Sequence, residues 1–351
     1  MFPRVIINLE KYRHNLRFLL DSCHKNGMSV MAVSKVFCAD RKLIEVMIEE
    51  KVDYIADSRI LNLKSFTCPM PKVLLRLPSF GEVDDIVKYS DISLNSELST
   101  IKLLDEAADK INQSHGVILM IDLGDLREGI YEENEVYSAV EKILELKNID
   151  LKGIGVNLTC YGGIIPTIDT LQKLVDYKAN IEDKFNIQLE IISGGNSSNI
   201  DLMLNGNIPA EINNIRLGES TVLGRETAYG DFLDSTYDDV FTFEADIIEL
   251  KEKPSVPIGQ IGMNAFGKVP SFEDTGVMLR AILAVGKQDV DYTELIPYDT
   301  IKAIGGSSDH IILDVSDANN MYEVGDTVLF KLTYSSILSL MTSKYVSKTY
   351  E

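Results

Sequence analysis

A lysine, two arginines and a run of small polar residues are the places where this sequence could do chemistry. Lys35 closes the apolar run Val30-Met31-Ala32-Val33-Ser34. An ammonium at the end of a buried strand loses solvent, which favours the neutral amine and makes it a nucleophile toward carbonyl carbon. The competing reading is a solvated lysine at a strand terminus. Farther on, Ser193-Gly194-Gly195-Asn196-Ser197-Ser198 places two glycines before three polar side chains. Such a turn lets backbone N–H groups and hydroxyls close around an anion, and it equally suits a strand-to-helix turn with a serine cap. Arg216-Leu217-Gly218-Glu219 follows one strand later.

Something must bring these groups together. Short apolar runs at 30–35, 54–57, 72–77, 91–95, 117–124, 151–158, 189–193 and 213–217 read as strands. The stretches between them carry helical spacing. Leu171, Leu174, Val175, Lys178, Ile181 and Phe185 share one helix face, and all but the lysine are apolar. Strands alternating with helices imply parallel pairing, and eight of them predict a closed (β/α)8 barrel. The alternative, an open doubly wound sheet, lacks a Gly-x-Gly-x-x-Gly after the first strand. The ends of the eight runs carry Lys35, Asp57 with Arg59, Arg76, Asn95, Asp122 with Arg127, Asn157, Ser193 with Asn196, and Arg216 with Glu219. In a barrel these ends converge on the face where active sites form, and phosphate sites usually follow strands seven and eight. The Gly-Gly-Asn turn and Arg216-Leu217-Gly218 occupy those two places.

The alternation stops near Gly230. Runs at 241–249, 277–285, 310–315 and 327–332, with turns such as Gly305-Gly306-Ser307-Ser308 between them, predict a mostly antiparallel β domain. The expected organisation is a barrel over 1–229 and a C-terminal β domain over 230–351.

Composition narrows the function classes. Lys and Arg number 34 against 54 Asp and Glu, a formal charge of −20, which argues against nucleic acid because that contact rests on neutralising phosphate. The acidity reads as a solvated surface or as a field that draws in a cationic substrate. The four cysteines, Cys23, Cys38, Cys68 and Cys160, form no Cys-x-x-Cys and suit a reducing cytoplasm. Neither a signal peptide nor an apolar run of membrane length is evident, and the four histidines have no metal-ligand spacing. No metal, membrane or nucleic-acid partner is expected.

Several segments together resemble the alanine racemases. They are Val5-Ile-Ile-Asn-Leu-Glu-Lys-Tyr-Arg-His-Asn-Leu16, the Lys35 strand, Asp122-Leu-Gly-Asp-Leu-Arg-Glu-Gly129, Gly155-Val-Asn-Leu-Thr159, the Gly-Gly-Asn-Ser-Ser turn and Arg216-Leu-Gly218. The resemblance spans essentially the whole chain. Leu123-Gly-Asp-Leu-Arg-Glu-Gly129, Ser193-Gly-Gly-Asn-Ser-Ser198 and Gly305-Gly-Ser-Ser-Asp-His310 are most like the ornithine-acting branch of that family. It implies a fold-type III pyridoxal 5'-phosphate enzyme, an amino-acid racemase that interconverts L- and D-ornithine. Lys35 is then the catalytic residue that carries the cofactor. Arg216 contacts the pyridine nitrogen, and Arg127 lies near the phenolic oxygen and the substrate. Asn157, Ser193, Gly195, Asn196, Ser197, Ser198 and Gly218 complete the cofactor-binding set, the turn and Gly218 holding the phosphate. Ser308 and Asp309 stand at the substrate-side Met-Asp pair of the alanine enzymes. Ser308 thereby enlarges the pocket, and Asp309 takes a catalytic or substrate-binding place. The resemblance also implies a homodimer in which the C-terminal domain of one subunit covers the barrel mouth of the other.

The pattern is broken in two further places. Val36-Phe-Cys-Ala-Asp40 replaces the usual aromatic-bearing segment after the lysine, and Pro257-Ile258-Gly259 stands where the catalytic tyrosine is expected. The second base is therefore unassigned. Alanine or broad basic amino-acid racemisation, a decarboxylase of the same fold type, and a non-catalytic carrier of the cofactor remain as alternatives. The decarboxylase would need a cysteine in the second domain and the carrier would lack that domain.

Overall fold

Branched apolar residues favour strands where both faces of a sheet are buried, and the barrel strands here meet that condition. The computed structural model describes residues 2–351. A first strand, β1 (Arg4–Ile7), precedes the barrel. Eight parallel strands then close on one another: β2 (Ser29–Val33), β3 (Tyr54–Asp57), β4 (Lys72–Leu74), β5 (Ile92–Asn95), β6 (His115–Ile121), β7 (Ile149–Val156), β8 (Ile191–Ser193) and β9 (Asn214–Leu217). The ring is completed by β9 against β2, with Asn214 opposite Ser29 and Leu217 opposite Ala32. This is the expected (β/α)8 barrel. The helix Ile168–Phe185 buries Leu171, Leu174, Val175 and Ile181, the face its spacing predicts.

Side chains alternate across each strand, so every second residue points into the barrel. Met31, Val33, Ala56, Val73, Ile92, Leu94, Ile118, Met120 and Ile191 pack there as one apolar cluster. The alternation continues from Ile191 to Ser193 on β8, and on β9 it selects Asn214 and Arg216. One sector of the interior is therefore polar. Gly155 on β7 makes room beside it, because a Cβ there would lie 3.1 Å from the Met120 sulfur and 3.3 Å from the Ser193 Cβ.

Strand limits shift by a few residues. β2 stops at Val33, and Lys35 opens a 3₁₀ turn, Lys35–Phe37, instead of ending the strand. β4 stops at Leu74, which leaves Arg76 in a loop where it pairs with Glu82 at 2.6 Å.

The chain divides into two units, Glu10–Asp238 and a second unit that joins the N-terminal stretch through Leu9 to Asp239–Glu351. This departs from the expected cut at 229/230, which left the N-terminus with the barrel. The reason is strand pairing. β1 lies antiparallel to β10 (Phe241–Pro254) and parallel to the strand at Ser347–Tyr350. Between these come β11 (Val277–Leu283), β12 (Leu295–Pro297), β13 (Lys302–Gly306), β14 (Ile311–Asp314) and β15 (Thr327–Leu332), and the last strand is β16. Apart from the β1–β16 edge, the sheet runs antiparallel in the order β12-β15-β10-β11-β14-β13. Phe241, Phe243, Ala245 and Ile247 of β10 are buried, as are Val328, Phe330 and Leu332 of β15. A helix at Tyr334–Thr342, not foreseen, is started by a Thr333–Ser336 capping box and buries Ile337, Leu340 and Met341. Among the described residues no helix is long and apolar enough to cross a membrane.

Candidate active site

Lys35 is half-buried in the turn that follows β2. Its neighbour Ser34 donates to Asp57 Oδ2 at 2.6 Å, and Asp57 Oδ1 accepts from the Arg59 backbone N–H at 2.8 Å and from Asn62 at 3.0 Å. Asp57 is fully buried. Burial pushes its carboxyl above the ordinary range, opposed by these hydrogen bonds and by the Lys35 charge. The end of β3 thus ties down the turn that presents Lys35. Asp57 was among the strand-end residues, but its bond to Ser34 depends on register across β2 and β3, which spacing alone does not give.

Arg216 is only 5% exposed. One terminal nitrogen donates to Ser193 Oγ at 2.5 Å and the other to the Val156 carbonyl at 2.6 Å. Among the described residues no carboxylate is paired with it within ion-pair distance. Burial lowers its pKa to about 10, so it remains a cation at neutral pH. A buried cation held only by neutral groups is costly, and such a group usually has a further acceptor when its site is filled.

The turn after β8 is built by its own side chains. Asn196 Oδ1 accepts from the Ser198 N–H at 2.9 Å. Its Nδ2 must therefore point the other way, donating to the Leu158 carbonyl at 2.9 Å and Asn157 Oδ1 at 3.1 Å. That in turn fixes the Asn157 amide. Its Nδ2 is buried and has no hydrogen-bond partner. Gly195 adopts φ +137°, and a Cβ there would sit 2.8 Å from Asn199 Oδ1. Ser197 Oγ lies 3.1 Å from Ser220 Oγ, which joins this turn to the short helix Glu219–Leu223 after β9. Gly218 caps that helix, and a Cβ there would come within 3.2 Å of Val33.

Arg127 lies in the loop after β6 and is paired with Glu128. This loop is locked to the one after β7, because the buried Asp125 carboxylate accepts from the backbone N–H groups of Tyr161 at 3.0 Å and Gly162 at 3.1 Å. Cys160, on the second loop, donates to Asn157 Oδ1 at 3.4 Å. Glu128, Asp125 and Cys160 were not singled out from sequence; their contacts are between loops. Thus Arg216 is brought into direct contact with Ser193, and Asn196 with both Asn157 and Ser198.

Ser308 and Asp309 belong to the second unit, in the turn between β13 and β14. Asp309 Oδ1 accepts from His310 Nδ1 at 2.8 Å, from Ser307 Oγ at 2.9 Å and from Ser308 Oγ at 3.3 Å. The His310 bond first, then Ser307, holds its carboxyl below the usual value. Gly286 allows the turn to close, since a Cβ there would meet the Asp309 backbone at 2.3 Å.

Residues 7–225 match a protein-family model described as alanine racemase, N-terminal domain. Over 350 residues the chain is 48% identical to the ornithine racemase of Acetoanaerobium sticklandii, covering 99% of each chain. It is 39% identical over 355 residues to the lysine racemase of Thermotoga maritima, covering 100% of this chain and 99% of that one. The fold is also that of the alanine racemase from Bartonella henselae solved with covalently bound pyridoxal phosphate, with a TM-score of 0.74, 16% identity and 99% of both chains covered.

Proposed function

The chain belongs to the alanine racemase family, and from that premise we propose that it is a pyridoxal-phosphate-dependent racemase that interconverts L- and D-ornithine. The observation that carries the substrate is the 48% identity, end to end, with an ornithine racemase. What supports the cofactor is the donor set at the barrel mouth. It contains an amine on a tethered turn, a buried guanidinium with no carboxylate, an unpartnered buried amide N–H on Asn157, and a glycine turn lined with serines. An aldehyde suits the amine, a pyridine nitrogen the guanidinium and a phosphate the glycine turn, and the Asn157 N–H remains as a further donor beside them.

Lys35 would hold the cofactor through its amine, Arg216 would face the ring nitrogen and Arg127 the phenolic oxygen. Gly195, Asn196, Ser197, Ser198 and the backbone at Gly218 would hold the phosphate, with Asn157 and Ser193 supporting them. When bound, pyridoxal phosphate acidifies the substrate Cα–H by withdrawing electrons. The Lys35 amine takes that proton from one face of Cα and returns it there in the reverse direction. A second base must serve the other face. By the family resemblance Asp309 would be the substrate-side carboxylate and would pair with the δ-ammonium of ornithine, while Ser308 would leave space for the longer side chain.

The same reading makes the enzyme a homodimer with shared sites. Leu126 and Tyr161 are 64% and 75% exposed on the loops that Asp125 joins, apolar surface of the kind a partner covers. The test is to incubate purified protein with pyridoxal phosphate and L-ornithine and follow optical rotation. Decay to zero from either enantiomer is expected. Unchanged rotation with cofactor bound would leave a non-catalytic carrier, and faster decay with alanine would overturn ornithine.

A further inference from the structure

The polar sector of the barrel interior does more than fill space. Arg216 donates to Ser193 Oγ at 2.5 Å, Ser193 Oγ donates to Asn214 Oδ1 at 2.7 Å, Asn214 Nδ2 donates to Ser29 Oγ at 3.0 Å, and Ser29 Oγ donates to the Asn213 carbonyl at 3.0 Å. The series crosses the closing seam of the barrel, from β9 to β8, back to β9 and on to β2. Ser193 and Asn214 are 0% exposed, so no water competes for the bond between them.

The direction of the series is forced. A guanidinium has only donors, so Ser193 must accept from it. The one Ser193 proton then goes to Asn214, which requires the amide oxygen on that side and the amide nitrogen on the Ser29 side. Ser29, receiving from Asn214, sends its own proton to a carbonyl that can only accept. Every donor points away from Arg216, and each dipole presents its negative end to the cation.

We propose that Ser29, Asn214 and Ser193 form a one-way hydrogen-bond relay that holds the Arg216 guanidinium in place, with Asn214 as a positioning residue for cofactor binding. This rests on the reading of Arg216 as the group that faces the pyridine nitrogen. Asn214 touches neither cofactor nor substrate. It sets the orientation of the Ser193 hydroxyl, and without it that hydroxyl is free to turn its proton toward the cation. The relay neutralises part of a buried charge without a carboxylate, which leaves the guanidinium as a donor to a neutral ring nitrogen.

The test uses the full-length protein and pyridoxal phosphate itself. Its dissociation constant, and the visible band of the bound cofactor as a function of pH, are measured for wild type, Arg216→Ala, Asn214→Leu, Asn214→Asp and Ser29→Ala. A net hydrogen bond between neutral groups is worth about 0.5–1.5 kcal/mol, so Asn214→Leu is expected to weaken binding roughly two- to ten-fold. It should also move the pH dependence of the band in the same direction as Arg216→Ala. Asn214→Asp keeps an acceptor for Ser193, so it should bind the cofactor more tightly than Asn214→Leu, but the carboxylate it adds should shift the pH dependence of the band away from wild type. Ser29→Ala removes only the far end and should show a smaller shift in the same sense. It decides the matter if Asn214→Leu does not fold. Wild-type affinity and band in Asn214→Leu or, failing that protein, in Ser29→Ala, would overturn the relay. So would a loss of affinity without the Arg216→Ala signature, which is what a packing defect produces. If Arg216→Ala itself leaves the band and its pH dependence unchanged, the reading of Arg216 falls instead, and with no binding by wild type the cofactor assignment falls.

Discussion

Arg216 and Asp309 are both charged residues assigned to one reaction, yet their surroundings are opposite. Arg216 sits on a barrel strand, 5% exposed, gripped by Ser193 and Val156. Asp309 sits in a turn of the second unit, and it is bonded to Ser307, Ser308 and His310, its immediate sequence neighbours. The contrast separates two tasks. Groups that tune a cofactor work best when preorganised in a dry interior, where reorganisation has no further cost. A group that chooses among amino-acid side chains must meet a substrate that enters from water, and a loop suits it. Racemisation should therefore fail when the barrel set is altered, whereas changes at 308–309 should redirect it among substrates.

The largest expected effect is at Lys35. Lys35→Ala should lower kcat for ornithine by at least about a thousand-fold, since it removes both the covalent anchor and a base. Steady-state kinetics with saturating pyridoxal phosphate measure it, and retention of a tenth of the activity would erase the distinction between the two regions. Next comes Asp309→Asn, expected to cut kcat/KM for ornithine relative to alanine by roughly ten- to a hundred-fold while leaving cofactor affinity alone. An unchanged ratio would remove Asp309 from the substrate side without touching the barrel.

A mixing experiment sharpens the comparison further. Lys35→Ala and Asp309→Ala chains, exchanged to equilibrium, should recover about a quarter of wild-type ornithine turnover, because one site in each two-fold heterodimer is intact. No recovery, with exchange verified, would place both residues in the same subunit's site.

The smallest effect on activity is expected at the opposite end of the barrel. His115 is 1% exposed and hydrogen-bonded to Ser93 at 2.8 Å, and burial lowers its pKa to about 4. The unfolded chain therefore takes up a proton near pH 6.5 that the folded protein refuses until about pH 4. With more protons bound on unfolding, stability falls as pH drops through that window and levels below it. His115→Gln should flatten that slope in chemical denaturation at several pH values and leave kcat near wild type. A large loss of kcat would mean that the barrel floor is coupled to the mouth.

Much of this was legible beforehand, for physical reasons that also explain the gaps. Most of the barrel interior is apolar, so β2 and β6 announce themselves as continuous runs, Val30–Val33 and Gly116–Ile121. The polar residues near the strand ends, Lys35, Asn157, Asn196 and Arg216, could be named because that is where polarity returns. What escaped depends on pairing between distant segments. β1 joins the second unit through Phe241–Glu244, more than two hundred residues away, and no local pattern records that register. The helix Tyr334–Thr342 is short and serine-rich, which masks its apolar face at Ile337, Leu340 and Met341. Nothing in the segment Asn213-Asn214-Ile215-Arg216-Leu217 marks Asn214 out; only the closing of β9 onto β8 and β2 makes it the link between Ser193 and Ser29.

The most direct test of the account asks which residue holds the cofactor. Protein saturated with pyridoxal phosphate is reduced with borohydride, digested, and the labelled peptide sequenced by mass spectrometry. The label should lie on Lys35, in the peptide that contains Val33-Ser34-Lys35-Val36, and should be absent from Lys35→Ala. A label on another lysine, or an equal yield from Lys35→Ala, would contradict it.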